Sequence, residues 1–374
     1  MRTKVIAMYL PQYHQIPEND DFWGNGFTDW VTVKNAKPLF GGHQQPRVPL
    51  KNNYYDLSQK ENVKWQSQLA KENGIYGFGI YHYWFNNEKN LLTKPAQIIL
   101  DNKDIDINYC YAWDNISWKR SWSNVKENGN AWAPLIEKER NIEKGPSILI
   151  PYIIGTKEDW KKHYDYVLPF FKDSRYIKID NKPVFIMFHK SEDVLQMSDY
   201  WNELAIKDDF SGVKFIYRLD KNENVKGFEN KPSFRYEPIS SGWFIDSLWK
   251  RILNKAQRII RGENHLRIYD YDTIWKKILK NAKKMSQSNM YHCGFVGYDD
   301  TPRRGSKGIC VMNSTPDKFR KYVKELIEIS SKQNKEFICL TAWNEWGEGA
   351  YLEPDSIYKF EYLKALKQAV ENEE

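Results

Sequence analysis

The chain has 374 residues, and 41% of them are apolar, ample for a large buried core, which excludes an intrinsically disordered protein. The net charge of +7 is modest for this length; with no nucleic-acid motif and no run approaching the ~20 apolar residues of a membrane span, a nucleic-acid partner and a spanning segment are excluded. The 15 Trp, 24 Tyr and 18 Phe suit either a large core or a surface that grips flat, hydroxyl-edged ligands such as sugars.

In chain order, Lys4–Leu10 reads as a first strand, followed by a Pro-, Asn-, Gly- and aromatic-rich segment up to Tyr55, too long for a mere connector. A helix over Asp56–Asn73, stopped by Gly74, precedes a strand over Tyr76–Trp84 and a short helix near Lys94–Leu100. The third strand is Ile107–Trp113, and Ser147–Ile154 reads as an extension outside the main sheet. A helix over Glu158–Phe171, a strand over Lys182–His189, a helix over Glu192–Ile206 and a strand over Val213–Leu219 come next. A sixth strand over Ser233–Glu237 precedes two helices, Phe244–Arg261 and Asp270–Met285, then a strand over Tyr291–Tyr298. A helix over Pro316–Lys332, an eighth strand over Phe337–Trp343 and a closing helix over Ser356–Glu371 finish the chain. Strands alternating with helices, eight of each in rough count, imply an α/β fold, a (β/α)8 TIM barrel with long loops at its carboxyl-end rim. It is read as a single domain over residues 1–374.

Chemistry-bearing residues recur where these strands end, and in a barrel all of those ends converge on one rim. Tyr9 to His14 follow the first strand and Trp30 lies in the long loop. His82, Tyr83 and Trp84 end the second strand; Trp113, Asn115, Trp118 and Arg120 follow the third. Glu237 ends the sixth strand, and Asp300, Arg303 and Arg304 follow the seventh. Asn344, Glu345, Trp346 and Glu348 follow the eighth. There, two acids three residues apart are wedged among Trp343, Trp346 and Tyr351, which desolvate them and push one carboxyl pKa upward. His14 and His82 suit hydrogen-bonded structural positions as well as a site, and Asp299, Asp300, Arg303 and Arg304 suit a braced loop as well as a ligand clamp. The histidines are scattered and no Cys-x-x-Cys pair exists, so no metal is expected. Cys110, Cys293, Cys310 and Cys339 read as buried free thiols, and Met1 leads directly into the first strand without room for a signal peptide. A cytoplasmic location follows as the expectation. A basic amphipathic stretch over Trp249–Arg261 packs on the barrel or lies peripherally on an anionic membrane face.

The motifs Tyr9-Leu-Pro-Gln-Tyr-His14, Phe22 to Trp30, Tyr76 to Phe85, Asp300-Thr-Pro-Arg-Arg-Gly305 and Asn344-Glu-Trp-Gly-Glu-Gly349, in this order, resemble the WbsX family of bacterial polysaccharide gene clusters. That family is labelled glycosyltransferase yet is similar to glycoside hydrolase family 99, the endo-α-mannosidases. The resemblance implies a cofactor-free barrel acting on an oligosaccharide or polysaccharide, free or lipid-linked. It also implies Glu345 as the base that deprotonates the sugar's own 2-hydroxyl and Glu348 as the acid on the leaving oxygen. Where WbsX-type chains often carry an acid after the third strand, this one has Ile116, so the contact made by that carboxylate is lost or moves to Asp114, and the substrate is expected to differ. The alternatives are a glycosyltransferase of the same fold and a non-catalytic glycan-binding barrel.

Overall fold

A computed structural model describes residues 2–119, 148–219, 225–242, 266–285 and 289–371. Parallel strands occupy eight positions around a ring: β1 (Lys4–Tyr9), β2 (Gly77–Asn86), β3 (Asn108–Trp113), β4 (Lys182–Met187), β5 (Lys214–Arg218), β6 (Ser233–Phe234), β7 and β8 (Phe337–Thr341). β7 is broken into Met290–Tyr291 and Cys293–Phe295, so nine segments make up the ring. β6 pairs with the first segment and β8 with the second. The break is bridged where Cys339 N–H donates to the His292 carbonyl at 3.0 Å. β1 pairs with both β2 and β8, which brings the chain's two ends together.

Among the described residues, seven helices of eight or more residues pack around this ring: α1 (Lys60–Glu72), α2 (Lys94–Asp101), α3 (Lys157–Lys172), α4 (Glu192–Lys207), α5 (Tyr271–Lys284), α6 (Pro316–Lys332) and α7 (Glu361–Glu371). Their starts are chemically marked. Thr156 and Asp159 form a capping box on α3, while the Ser191 and Thr315 hydroxyls accept the Val194 and Lys318 N–H groups at the heads of α4 and α6. The predicted starts at Asp56 and Ser356 are too early. Asp56 caps its own turn by accepting the Ser58 N–H, and Asp355 accepts the Ile357 and Tyr358 N–H groups, so both segments are spent in turns before the helix begins. The long segment after β1 holds two short helices, Pro17–Trp23 and Asp29–Asn35, that the sequence reading missed. Ile148–Ile150 pairs antiparallel with Trp118–Lys119 outside the barrel, as the sequence suggested. Arg120 and the whole of Trp249–Arg261 lie outside the described residues. Among the described residues no helix is long and apolar enough to cross a membrane.

Strand side chains alternate between two environments, and this sorts the rim residues. On β2, Tyr81 and Tyr83 face the barrel mouth, whereas His82 and Trp84 face α3, where Trp84 stacks on His163 at 4.4 Å. Beyond β3, Asp114 faces the mouth while Trp113 packs edge-on against His163. Cys110, Cys293 and Cys339 are buried on β3, β7 and β8, and all four cysteines are free thiols.

Candidate active site

A cavity of about 790 Å³ opens at the carboxyl ends of the strands, within the size range of small-molecule sites. Every strand position contributes to it: Leu10 after β1, Tyr81 and Tyr83 on β2, Asp114 to Trp118 after β3, and Phe188 and His189 after β4. Arg218 ends β5, Tyr236 follows β6, Arg303 and Arg304 follow β7, and Glu345 and Glu348 follow β8.

The two glutamates share one face because of local geometry. Asn344–Glu345 pairs with Ala350–Tyr351 in a miniature hairpin, and Trp346–Glu348 between them is a single 3₁₀ turn. With three residues per turn, positions three apart eclipse, so Glu345 and Glu348 project together. Gly349 closes the turn in the left-handed region at φ 57°, where a side chain would also crowd Asp299. Gly347 is required for another reason: a Cβ there would stand 2.5 Å from Asp29 Oδ2 and 2.6 Å from Arg303 Nε.

Through that gap Arg303 reaches both acids. Its Nη2 lies 2.9 Å from Glu345 Oε1 and its Nη1 lies 2.9 Å from Glu348 Oε1, while Nη2 also meets Asp29 Oδ2 at 3.1 Å. One guanidinium thus holds three carboxyl groups. Burial pushes the Glu345 carboxyl up to about 8; Arg303 opposes this, and the neighbouring Glu348 and Asp29 add to it. Underneath, the Tyr13 hydroxyl donates to the Asn344 carbonyl at 2.7 Å and receives the Trp346 N–H at 3.1 Å, fixing the turn's backbone.

The opposite wall is built from β3, β4 and β5. Asn115 clamps the His189 backbone through both its amide groups, at 2.9 and 2.8 Å, and Asp114 lies 3.9 Å from His189 Nε2. Burial raises the Asp114 carboxyl to about 6, with Arg218 opposing. Arg218 spreads its guanidinium over the Phe188 and Tyr236 rings at 5.7 and 5.4 Å, and the Tyr236 hydroxyl meets that of Tyr81 at 2.6 Å. Trp118 extends the wall, packed edge-on against Tyr83.

Of the residues predicted for the site, Tyr83, Asn115, Trp118, Arg303, Arg304, Glu345 and Glu348 line this cavity. Arg120 lies outside the described residues; the remaining predicted residues do not line the cavity, and each has a physical reason. Tyr9 points outward and donates to Gln66 of α1 at 2.6 Å. His82 is buried against α3, bonded to His163 at 2.8 Å, and its pKa is lowered to about 3 by burial; Trp84 and Trp113 share that layer. His14 is buried with an unpartnered Nδ1 away from the cavity. Trp30 packs into Tyr13, Tyr55 and Trp346, and Trp346 in turn stacks on Tyr351 at 3.7 Å and donates to Glu353. Asn344 acts as a backbone mimic, exchanging two hydrogen bonds with Leu10 across the β1–β8 seam. Glu237 turns away toward α5 and accepts from the Ser241 N–H and hydroxyl. Asp300 is buried beneath its loop, accepting the Ile309 N–H and pairing with Arg304 at 3.1 Å. Arg303 itself, expected to grip a ligand, is occupied by the three acids.

Asp29, Tyr81, Arg218 and Tyr236 were missed by the sequence reading. Tyr81 and Asp114 follow from period-two alternation with Tyr83 and away from Trp113, and Asp29 stands inside the Phe22 to Trp30 motif. Nothing in the sequence spacing points to Arg218 or Tyr236.

One group of metal-ligand types exists among the described residues: donor atoms of His43, Asp299 and Cys310 lie within 4.8 Å of one another. Its chemistry is that of a brace. His43 Nδ1 accepts the Leu39 N–H, so Nε2 carries the proton and donates to Asp299 Oδ2 at 2.8 Å; Gln45 and Thr301 fill the remaining acceptor positions of that carboxylate.

The family model described as Glycosyltransferase WbsX matches residues 5–366. A protein of Xanthomonas campestris pv. campestris strain B100, named uncharacterized protein WxcX, is 26% identical over 377 aligned positions, covering 98% of this chain and 49% of that protein. A second strain of the same pathovar holds a relative with the same figures, so the chain spans about half the length of the curated relatives it matches. Among solved structures, the GH99 endo-alpha-mannosidase from Bacteroides thetaiotaomicron superposes with a TM-score of 0.54 at 14% identity, covering 98% of this chain and 96% of that one. A glycoside hydrolase-like protein superposes with a TM-score of 0.56 at 12% identity, covering 99% and 94%. These superpositions agree with the barrel.

Proposed function

We propose that this chain, which belongs to the WbsX glycosyltransferase family, cleaves or transglycosylates glycosidic bonds of a bacterial surface polysaccharide or its precursor. The observation that carries this reading is the Arg303 guanidinium held 2.9 Å from both Glu345 and Glu348 at the carboxyl-end cavity of the barrel. Glycoside cleavage with retention uses two carboxyl groups on one sugar: one gives and later takes a proton, and the other is the nucleophile in the ordinary scheme or, in the family 99-like scheme, the base for the sugar's 2-hydroxyl.

In the reaction we propose, Glu345 takes the proton from the sugar's 2-hydroxyl, whose oxygen attacks the anomeric carbon. Glu348 simultaneously protonates the departing glycosidic oxygen. The resulting 1,2-anhydro sugar then opens as Glu348, now ionised, removes a proton from water or an acceptor hydroxyl, and Glu345 returns its proton to the 2-oxygen. A carboxyl whose pKa stands at about 8 is a strong base once ionised, which suits a poorly acidic hydroxyl. Arg303 and Asp29 act as positioning residues: the cation keeps two acids close together in a buried site, and Asp29 anchors the cation. The aromatic wall of Tyr83, Trp118 and Tyr152 offers the apolar face that a sugar ring stacks on.

A second reading, sugar transfer from a nucleotide donor, is favoured by the family description. Such a donor brings a diphosphate that needs cations. Of the three arginines lining the cavity, Arg303 is engaged by three carboxyl groups, Arg304 by Asp300, and Arg218 lies over the Phe188 and Tyr236 rings; the engagement of Arg303 and Arg304 supports cleavage over that reading. The test is incubation with the cognate polysaccharide or its lipid-linked repeat in the presence of EDTA, followed by mass spectrometry. Shortened or rearranged glycans support the proposal. Transfer from a nucleotide sugar without glycan cleavage overturns it.

A further inference from the structure

We propose that a second cavity, behind the Trp346–Glu348 turn, binds a small oxyanion: the carboxylate or phosphate group carried by a sugar. This cavity measures about 280 Å³ and shares no lining residue with the first. At about 30 Å³ per water it holds roughly nine waters, the scale of one sugar ring. The proposal stands whichever reaction the larger cavity performs.

Two independent features give the cavity an anionic preference. The first is Arg47, which lines it. Its Nη1 donates to the exposed Gln44, while its Nε is buried without an acceptor. The two carboxylates that act on Arg47 through space, Asp299 and Asp355, the latter also lining the cavity, are already spent. Asp355 accepts the Tyr351 hydroxyl and the Ile357 and Tyr358 N–H groups, and Asp299 accepts from His43, Gln45 and Thr301. They compensate the Arg47 charge through space but leave its guanidinium fork without paired oxygens, the geometry a carboxylate or phosphate supplies. The second feature is the amino end of α6, a 17-residue helix that starts at the cavity's edge through Ser314 and Thr315. The Thr315 hydroxyl already accepts the Lys318 N–H and Pro316 has no N–H, so this start contributes its electropositive dipole and not open donors. The Asp317 carboxylate in that first turn is directed to Arg320 at 3.4 Å. The hydroxyl-bearing Tyr358 and Tyr362 on the remaining wall suit the polar edges of a sugar.

The site touches the catalytic turn directly: Gly349 and Tyr351 line it, and the Asp299 N–H donates to the Glu348 carbonyl. An occupant here therefore lies one residue from the proposed acid.

The experiment is calorimetric titration of glucuronate, glucose and inorganic phosphate, each separately, into the full chain and into Arg47→Gln, Arg47→Lys and Arg304→Gln. Glucuronate is expected to bind at least about tenfold more tightly than glucose, and Arg47→Gln to weaken it about tenfold or more, as the loss of a charge-assisted hydrogen bond does. Arg304→Gln, in the larger cavity, should leave that affinity unchanged. Arg47→Lys keeps the charge without the fork and should fall between, which decides the matter if Arg47→Gln does not fold. Phosphate binding as tight as glucuronate, and equally sensitive to Arg47, assigns the pocket to phosphate-bearing ligands within the same proposal. Anion binding unchanged in a folded Arg47 variant, binding lost in Arg304→Gln instead, or no anion binding at tens of millimolar overturns it.

Discussion

Asp29 and Arg303 lie 274 positions apart in the chain and meet at 3.1 Å beneath the turn that carries the two glutamates. The contact makes Arg303 a shared counter-ion instead of a ligand clamp, and it ties the loop after β1 to the loop after β7 under the product of β8. A buried cation facing three carboxyl groups leaves an excess of negative charge, so at least one carboxyl is held protonated near neutrality. Glu345, the most deeply buried of the pair, is that group.

Gly347→Ala tests how tightly this assembly is packed. A methyl group there collides with Asp29 and Arg303, so a stability loss of about 1–3 kcal/mol is expected from overpacking. Turnover should fall further than stability, because the collision displaces the groups that set the glutamates. Urea denaturation with parallel activity assays separates the two effects; unchanged turnover contradicts the packing.

The pH–rate profile distinguishes the role of Glu345. If it is the base, kcat/KM rises with pH as the carboxyl loses its proton, with a midpoint near 8. A fall through the same range would reverse the roles and make Glu345 the acid.

Asp29→Asn should move that midpoint. Asp29 raises the Glu345 pKa by its charge, so removing it and leaving Arg303 more fully to the glutamates shifts the limb to lower pH. A limb that stays in place, with the variant folded, would sever Asp29 from the proposed catalytic pair.

Stability should fall as pH rises from about 7 to 8.5, above the range in which buried histidines with lowered pKa values, His82 among them, gain a proton on unfolding. Glu345 stands at about 8, Glu353 and Glu237 at about 7, all raised by burial above the ordinary carboxyl range, so the folded state binds more protons than the unfolded state across that window. Unfolding therefore becomes easier as these groups are forced to ionise. Glu237→Gln, which keeps an acceptor for the Ser241 N–H, should flatten the dependence of Tm on pH; a slope that does not change excludes Glu237 as a contributor.

Much of the barrel could be read from the chain because parallel strands buried on both faces are continuous apolar runs, and each of the eight predicted runs holds a barrel strand. The glutamate pair was legible because its three-residue spacing and its tryptophan flanks are local properties. What the runs could not reveal was direction. His82, Tyr83 and Trp84 look equivalent in sequence, yet one residue of register separates the cavity from the α3 layer. Asn344 and Asp300, polar and beside the motif, serve backbone groups that only the folded loops bring near. Asp29 became visible as a partner of Arg303 only through a contact spanning most of the chain, which no local spacing encodes.

The most direct measurement is product analysis of the cognate glycan treated with the wild-type chain and with Glu348→Gln. The amide cannot deliver a proton to the leaving oxygen, and losing such help costs about 10²–10⁴-fold. The account predicts shortened or transglycosylated glycan with the wild type, and that loss of rate in a variant whose circular dichroism and Tm match the wild type. Cleavage by Glu348→Gln at a rate close to the wild type's would contradict it.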